Sequence, residues 1–346
     1  MTQVIKDVKP NATYSEVRAP NLEWPKHRSK EYWEYRKKWN DYPKKFIVPD
    51  FPLCLDIETT NICNLLCPMC SRTIQIKDGT YVDIGTMSME LYKKMIDEGS
   101  ENNLYSIKLN YLGEPLLDKY ILDRIKYAKK KGVVDVMFNT NASLLTEEMS
   151  HNLLDAGLDS IFFSVDGINP DTFNKIRIGT DYLSVVNNIK NFVRIKNERN
   201  FKHVQTRVSM VLLPGLEKEI EKYTKFWLPI VGQVGYGEWI NHSGEGTIKK
   251  DSSGNEVISN YDYNPDFVCA QPFQRMFIMW DGICTPCCPD VARGYETGDA
   301  TKNSIKEIWH GEKYKKMREA QIGGNYMDIE ICRNCYIPQS KVDTEM

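Results

Sequence analysis

The sequence lacks any long hydrophobic run and any excess of charge of one sign. No stretch approaches the roughly 20 apolar residues of a membrane-spanning helix, and the amino terminus, MTQVIKDVKP, lacks the apolar segment of a secretion signal. Lys and Arg number 45 against 47 Asp and Glu, so the net charge is only -2. The composition therefore argues against a membrane protein, a secreted protein and a general nucleic-acid binder, and it predicts a cytoplasmic protein.

The sequence does contain many cysteines. With 346 residues, of which 41% are hydrophobic, it can form one large domain or two ordinary ones. Its 10 cysteines are too few for a disulfide scaffold of this length. Because cytosolic thiols stay reduced, clustered cysteines indicate metal ligands or catalytic groups.

Residues 1–50 form a basic and aromatic amino-terminal arm. Ser29 is a suitable cap for a helix that runs to about Trp39, with Tyr32, Tyr35 and Trp39 on one face. We expect the arm to pack on the main domain; the alternative is a substrate or partner surface.

Residues 51–240 alternate short apolar runs with amphipathic stretches, which predicts a parallel α/β sheet, either doubly wound or a barrel. In both architectures ligands bind at the carboxyl ends of the strands. Residues 241–266 are polar and predict a loop or lid, with a small hairpin near Ser252–Gly254, and residues 267–346 hold six cysteines and predict a separate, metal-held subdomain. The predicted strands are 53–57, 106–109, 133–138, 160–165, 204–212 and 233–239. The predicted helices are 88–98, 119–131, 146–156, 184–199 and 217–227.

Three cysteines, Cys63, Cys67 and Cys70, follow the first predicted strand. A closed structural zinc site needs four ligands, and this loop supplies three. The spacing, CxxxCxxC after a strand, resembles that of the radical S-adenosylmethionine (SAM) superfamily. This resemblance implies a partial (β/α)6 TIM barrel and a 4Fe–4S cluster whose free iron binds SAM, which is cleaved to a 5′-deoxyadenosyl radical.

Further motifs occur in the order of that superfamily. Residues 111–115 (YLGEP) resemble the GGE-type motif that holds the SAM amino group, residues 139–141 fit a SAM contact region, and residues 164–167 and 176–179 resemble the SxDG and IRG segments. Met69 departs from the family, which usually has an aromatic residue near adenine, but a thioether can pack there. The implied SAM-binding residues are Met69, Gly113, Glu114, Asn141, Ser164 and Arg177.

A second set of cysteines, Cys269, Cys287, Cys332 and Cys335, resembles the auxiliary-cluster region of the SPASM and twitch groups. The block of cysteines that completes a full SPASM domain is missing, which points to the shorter twitch version with one auxiliary 4Fe–4S cluster. The spacing is similar to that of twitch-type dehydrogenases that oxidise aminocyclitols. The alternative is structural zinc held by the same four thiols.

Three cysteines stay outside both sets. Cys54 and Cys284 are expected to be small buried residues. Cys288 adjoins an expected cluster ligand and is the candidate hydrogen-atom donor of an epimerisation.

The resemblance implies hydrogen abstraction from a carbohydrate, aminocyclitol or similar polar metabolite, leading to dehydrogenation or epimerisation. The implied electron donor is a flavodoxin- or ferredoxin-type protein. The alternatives are a peptide-modifying radical SAM maturase and, among non-enzymes, a zinc-stabilised binding protein.

Overall fold

A computed structural model describes residues 5–7, 14–81, 83–238, 248–250, 256–258, 268–333 and 335. The strands are β1 Ile5–Asp7, β2 Tyr14–Arg18, β3 Cys54–Ile57, β4 Ser106–Lys108, β5 Asp135–Thr140, β6 Ser160–Ser164, β7 Gln205–Leu212, β8 Gln233–Glu238, β9 Ile248–Lys250, β10 Glu256–Ile258, β11 Arg275–Ile278, β12 Ile283–Thr285 and β13 Gly298–Asp299. The helices are α1 Lys30–Lys44, α2 Ser71–Lys77, α3 Met89–Glu101, α4 Ile121–Lys130, α5 Glu147–Ala156, α6 Pro170–Ile176, α7 Tyr182–Glu198, α8 Ile220–Val231, α9 Ile305–Trp309, α10 Glu312–Ile322 and α11 Glu330–Arg333. None of these helices is long and apolar enough to cross a bilayer.

The centre of the molecule is a parallel sheet in which β3 to β8 pair in chain order. Successive helices pack on one another, α3 on α4, α4 on α5, α5 on α7 and α7 on α8. The helices therefore form one layer outside the sheet, which is the arrangement of a partial (β/α)6 barrel. All six predicted parallel strands and all five predicted helices are present. The short helices α2 and α6 were not predicted.

The two faces of the sheet differ in polarity. The residues that face the helices, such as Leu55, Ile107, Phe138 and Val208, belong to one buried apolar core. Along β5, β6 and β7 every second residue is instead half-buried, because it points into the barrel interior. The barrel therefore has an apolar outer layer and an accessible lumen.

The helices begin and end where local sequence dictates. The side chains of Ser88 and Thr146 accept hydrogen bonds from backbone amides at the starts of α3 and α5. Gly157 ends α5 with a φ of 93°, a conformation that favours glycine. These caps fix where the helices begin and end, and they thereby limit the length of the loops that join helices to strands.

The amino-terminal arm covers the amino ends of the strands. Strand β2 pairs antiparallel with β8, and the side chain of Ser29 caps α1. Tyr32 and Tyr35 are buried beside Leu53 and Tyr105, which directly precede β3 and β4. The arm therefore lies at the opposite end of the barrel from the strand carboxyl ends.

The carboxyl-terminal part extends the same sheet. Strand β11 pairs in parallel with β3, and β12 and β13 continue from it as antiparallel strands. Gly282 lies in the turn between β11 and β12 with a φ of 95°, and Ser304 and Glu307 form a capping box on α9. The region that the sequence assigned to a separate subdomain thus shares backbone hydrogen bonds with the barrel.

Most of the predicted lid, residues 241–266, lies outside the described residues. Within it, β9 and β10 pair antiparallel, with Ile248 opposite Ile258. The predicted Ser252–Gly254 segment lies outside the described residues.

Candidate iron–sulfur and SAM site

The cysteine loop after β3 brings three thiols to one cavity. Cys63, Cys67 and Cys70 all line it, and the amide of Cys70 donates to the carbonyl of Cys67 over 3.0 Å. Burial raises the pKa of Cys63 to about 11, and the neighbouring Cys67 acts in the same direction. A cationic iron centre would offset this effect, because it stabilises the thiolate form of its ligands.

The cavity opens at the carboxyl ends of the barrel strands and has a volume of about 380 Å³, within the usual range of small-molecule sites. Residues from the ends of β4, β5, β6 and β7 meet the cysteine loop there. Each residue predicted to bind SAM contributes to its wall, namely Met69, Gly113, Glu114, Asn141, Ser164 and Arg177.

Gly113 allows two loops to pass backbone to backbone. A Cβ atom at this position would lie 2.0 Å from the carbonyl oxygen of Thr60. The next amide, that of Glu114, donates to the carbonyl of Ile62 over 2.8 Å. Only glycine therefore permits the loop after β4 to lie against the cysteine loop.

Glu114 connects that loop to the end of β5. Its carboxylate accepts from the Thr140 hydroxyl at 2.7 Å and from the amides of Asn141 at 2.8 Å and Leu116 at 3.1 Å. Burial raises the pKa of Glu114, and these donors oppose the rise. Asn141 in turn donates from Nδ2 to Oδ1 of Asn64 in the cysteine loop, at 3.0 Å. The predicted SAM residues thus also hold the wall of the cavity together.

Arg177 joins the cysteine loop to the end of β6. Its Nη2 lies 2.6 Å from Oδ2 of the fully buried Asp166, and its Nη1 lies 3.8 Å from Sγ of Cys67. Asp166 also accepts from the amide of Val211, at 2.7 Å. Burial disfavours the charged guanidinium, but Asp166 and Cys67 outweigh it and raise the pKa of Arg177. A cation is therefore held against one thiol of the set.

The four cysteines of the second set lie around the end of the β11–β12 hairpin. Burial raises the pKa values of Cys269 and Cys332 to about 12, and each is raised further by a thiol of the set, Cys332 and Cys335 respectively. The pKa of Cys287 is raised by burial and then by neighbours that include Cys269 and Cys335. The four thiols thus form one group and suit a closed cluster.

Cys288 connects the two sets of thiols. It lines the first cavity, while the adjacent Cys287 belongs to the second group. Tyr111 donates from its hydroxyl to the carbonyl of Cys288 at 2.8 Å, and Gln271 donates from Nε2 to its Sγ at 3.2 Å. The residue predicted as a hydrogen donor thus lies in the wall of the cavity. The other two spare cysteines, Cys54 and Cys284, are buried as expected.

Sequence patterns did not identify four residues of the cavity region. Arg72 is 6% exposed and lines the cavity, and its Nη1 has no partner among the described residues. Asn110 and Val211 line the same wall, and Gln271 contacts Cys288. Asn110 could have been found because it closely follows β4, where barrel enzymes place functional groups. Gln271 lies in no motif, and only the fold brings it near.

Thiols are the usual protein ligands of iron–sulfur clusters. The chemistry of the two thiol sets fits clusters, with Cys63, Cys67 and Cys70 as the open set. When bound, the open cluster supplies the electron that cleaves SAM, while the protein orients the reactants and walls off the cavity.

These features define a barrel protein with an open iron–sulfur site beside a small-molecule cavity. Residues 57–226 match the sequence model of the radical SAM superfamily, and residues 269–336 match that of the SPASM iron–sulfur cluster-binding domain. The chain belongs to the radical SAM superfamily and carries a carboxyl-terminal SPASM region. It therefore binds SAM and a 4Fe–4S cluster, together with auxiliary iron–sulfur.

Two curated relatives illustrate the range of the family. A tungsten-containing aldehyde ferredoxin oxidoreductase cofactor-modifying protein of Pyrococcus furiosus is 24% identical over 81% of this chain and 86% of its own length. A GTP 3′,8-cyclase of Alkaliphilus metalliredigens is 30% identical over 48% of this chain, which spans 50% of the cyclase.

Solved structures share the fold. SuiB of Streptococcus suis, bound to its precursor peptide SuiA, aligns with a TM-score of 0.62 at 15% identity, over 89% of this chain and 79% of SuiB. BtrN, in complex with AdoMet and 2-DOIA, aligns with a TM-score of 0.52 at 17% identity, over 84% of this chain and 96% of BtrN. At these identities the likeness concerns the fold.

Proposed function

We propose that this radical SAM enzyme abstracts a hydrogen atom from a small polar metabolite, such as a carbohydrate or aminocyclitol, and that the product is dehydrogenated. The observation that carries the proposal is the position of Cys288, which lines the SAM cavity and adjoins Cys287 of the second thiol set. A substrate in this cavity would lie between the two proposed clusters. The auxiliary cluster could then accept the electron that a substrate radical must lose to become a carbonyl product, with release of one proton.

The size of the cavity and the names of the sequence relatives favour a small molecule over a peptide. The cavity of about 380 Å³ leaves little room beside SAM. A substrate must therefore be small, and part of it would extend into the barrel lumen, where alternate residues of β7 are only half-buried. The curated relatives are described as acting on a cofactor and on GTP. A peptide-modifying activity remains the alternative.

Epimerisation is the second candidate reaction, because Cys288 lines the cavity. A thiol can return a hydrogen atom to the substrate radical from the side opposite abstraction. In that case Cys288 would become a thiyl radical, and the auxiliary cluster or an external donor would have to restore it.

The two outcomes are distinguished by reconstituting the holoenzyme anaerobically and supplying SAM, dithionite and candidate sugars, aminocyclitols or peptides in deuterated water. Substrate-dependent 5′-deoxyadenosine supports hydrogen abstraction. A product two mass units lighter supports dehydrogenation, and a product of unchanged skeleton with one deuterium supports epimerisation. A peptide product would transfer the assignment to the maturase alternative.

Cys288→Ala tests the donor directly. If the reaction is an epimerisation through Cys288, the variant still forms 5′-deoxyadenosine but loses deuterium incorporation. Cys284→Ala, at a buried thiol away from the cavity, serves as control. Unchanged product stereochemistry and deuterium content in Cys288→Ala would exclude Cys288 as donor.

A further inference from the structure

The barrel lumen below the SAM cavity is polar and open. TIM barrels usually fill this space with branched apolar side chains. Here the lumen-facing positions of β6 and β7 include Phe162, Ser164, Arg207 and Ser209, and all of them are half-buried. Asn139 and Ser164, at the carboxyl ends of β5 and β6, line the SAM cavity above these positions.

A lysine projects into this lumen from β4. Ile107 and Leu109 belong to the buried core between sheet and helices, so alternation directs Lys108 to the opposite face. The Lys108 side chain keeps 23% of its surface exposed. Asn110, two residues further along, lines the SAM cavity, which puts Lys108 roughly 7 Å below that wall along the chain.

The charge of Lys108 is incompletely balanced. Asp56 lies opposite it in register on β3, but the Lys108 Nζ to Asp56 Oδ1 distance is 3.9 Å. The same carboxylate also faces Nη1 of Arg275, at 3.3 Å from Oδ2. One carboxylate, fully buried, is therefore shared by two cations at distances longer than a normal charged hydrogen bond.

The far side of the lumen also carries a cationic side chain. Arg207 of β7 lies with its guanidinium 3.9 Å above the ring of Phe162 and 3.3 Å from Glu16. Glu16 is also paired with Arg18, at 2.6 Å. Arg207 thus places a second cationic side chain on the lumen face, and cationic side chains that line a cleft concentrate anions there.

We infer that Lys108 binds an anionic group of the substrate, a carboxylate or a phosphate, while the reacting carbon lies higher in the cavity beside SAM. This inference rests on the proposed function, because it assigns the substrate class of the same site. Arg275 shares Asp56 with Lys108, and Arg207 adds to the positive potential. The substrate is then an acidic or phosphorylated polar metabolite rather than a neutral sugar.

The test measures anion binding to the SAM-loaded holoenzyme by calorimetry at constant ionic strength, with inorganic phosphate, glucuronate and glucose as probes. We expect one or both anions to bind and glucose not to bind. Lys108→Gln should weaken anion binding roughly tenfold, because it removes a charged hydrogen bond without removing the side chain. Lys108→Arg should retain anion binding. Lys126→Gln, at an exposed lysine of α4, is the control and should bind the anions as tightly as the unmodified protein does.

A second measurement avoids any dependence on folding of a variant. Phosphate or glucuronate should protect Lys108, but not Lys126, from acetylation detected by mass spectrometry. Protection by one anion alone identifies its chemistry as that of the substrate group. The inference is overturned if neither anion binds, if glucose binds equally well, or if Lys108→Gln binds the anions as tightly as the unmodified protein. Formation of 5′-deoxyadenosine is scored separately, so failure of the radical chemistry and failure of the anion site are distinguishable.

Discussion

At the scale of single residues, the site depends on positions where one atom decides whether two loops can meet. Gly113 is such a position, because its Cα is in contact with the backbone of the cysteine loop at Thr60. Arg177 is another, since it joins Asp166 to the thiol of Cys67. Both residues were predicted as SAM contacts, and the structure gives each of them a structural role in the wall as well.

Gly113→Ala should separate the two loops. The added Cβ would lie 2.0 Å from a backbone oxygen, which a side-chain rotation cannot relieve, so we expect a loss of about 3 kcal/mol in stability and weaker SAM binding. Gly294→Ala is the control, because its Cβ would meet its nearest atom at an ordinary 3.4 Å. Thermal unfolding and equilibrium dialysis with SAM measure both effects. Equal behaviour of the two variants would contradict this account of Gly113.

Glu58 predicts a dependence on pH. It lies directly after β3, is 1% exposed, and accepts from the amides of Leu112 at 3.2 Å and Trp280 at 3.4 Å. Burial raises its pKa to about 7 from an ordinary 4.5. The folded protein therefore disfavours the ionised form, and this cost is absent below pH 4.5 and complete above about pH 7.

Glu58→Gln removes that titration. As the pH rises from 5 to 8, the stability of the unmodified protein should fall relative to the variant by up to about 3 kcal/mol, whatever the constant effect of the substitution. Glu90→Gln, at an exposed glutamate of α3, is the control. Unfolding temperatures measured across this pH range would contradict the prediction if the two proteins followed parallel curves.

At the scale of elements, the amino-terminal arm is held by one buried arginine. Arg28 Nη1 lies 2.9 Å from Asp135 at the start of β5, and Nη2 donates to the hydroxyl of Ser160 and the carbonyl of Asp159, each at 2.6 Å. The arginine side chain is 3% exposed. The arm is therefore connected to the amino ends of two central strands.

Arg28→Ala should leave the Asp135 carboxylate without its cation, while Asp159 keeps Lys129, whose Nζ lies 2.7 Å from Asp159 Oδ2. Breaking a buried ion pair from one side usually costs about 3–5 kcal/mol. We expect that loss in unfolding free energy, together with faster amide exchange in β2 and α1. Lys26→Ala removes an exposed pair with Glu23 and should change little. If the amides of β2 and α1 exchange in Arg28→Ala as slowly as in the unmodified protein, Arg28 does not hold the arm.

Local patterns were sufficient for most elements of the barrel. The six parallel strands coincide with apolar stretches of the sequence. Four helices begin at a residue whose side chain accepts a hydrogen bond from the first turn, namely Ser29, Ser88, Thr146 and Ser304. The helices α2 and α6 escaped prediction because each has only 7 residues, too few to show a helical period. The pairing of β11 with β3 could not be predicted either, since it joins segments more than 200 residues apart.

At the scale of the whole molecule, the sequence predicted the sets of thiols but not their relation. Spacing grouped the cysteines, and the order of the motifs located the SAM cavity. The contact of Cys288 with that cavity, and the meeting of Lys108 and Arg275 at Asp56, arise only when β3, β4 and β11 come together.

The two thiol sets should load iron independently, because each supplies its own ligands from separate loops. Replacing Cys63, Cys67 and Cys70 together by Ala should retain roughly half of about eight irons per chain and abolish 5′-deoxyadenosine formation. Replacing Cys269, Cys287, Cys332 and Cys335 by Ala should also retain roughly half of the iron, but it should preserve the change that SAM causes in the electron paramagnetic resonance spectrum of the remaining cluster. Cys284→Ala should keep all of the iron, since its thiol is buried away from both sets. Zinc in place of iron in anaerobically prepared protein, or loss of all iron from either multiple variant while the protein stays folded, would contradict two independent clusters.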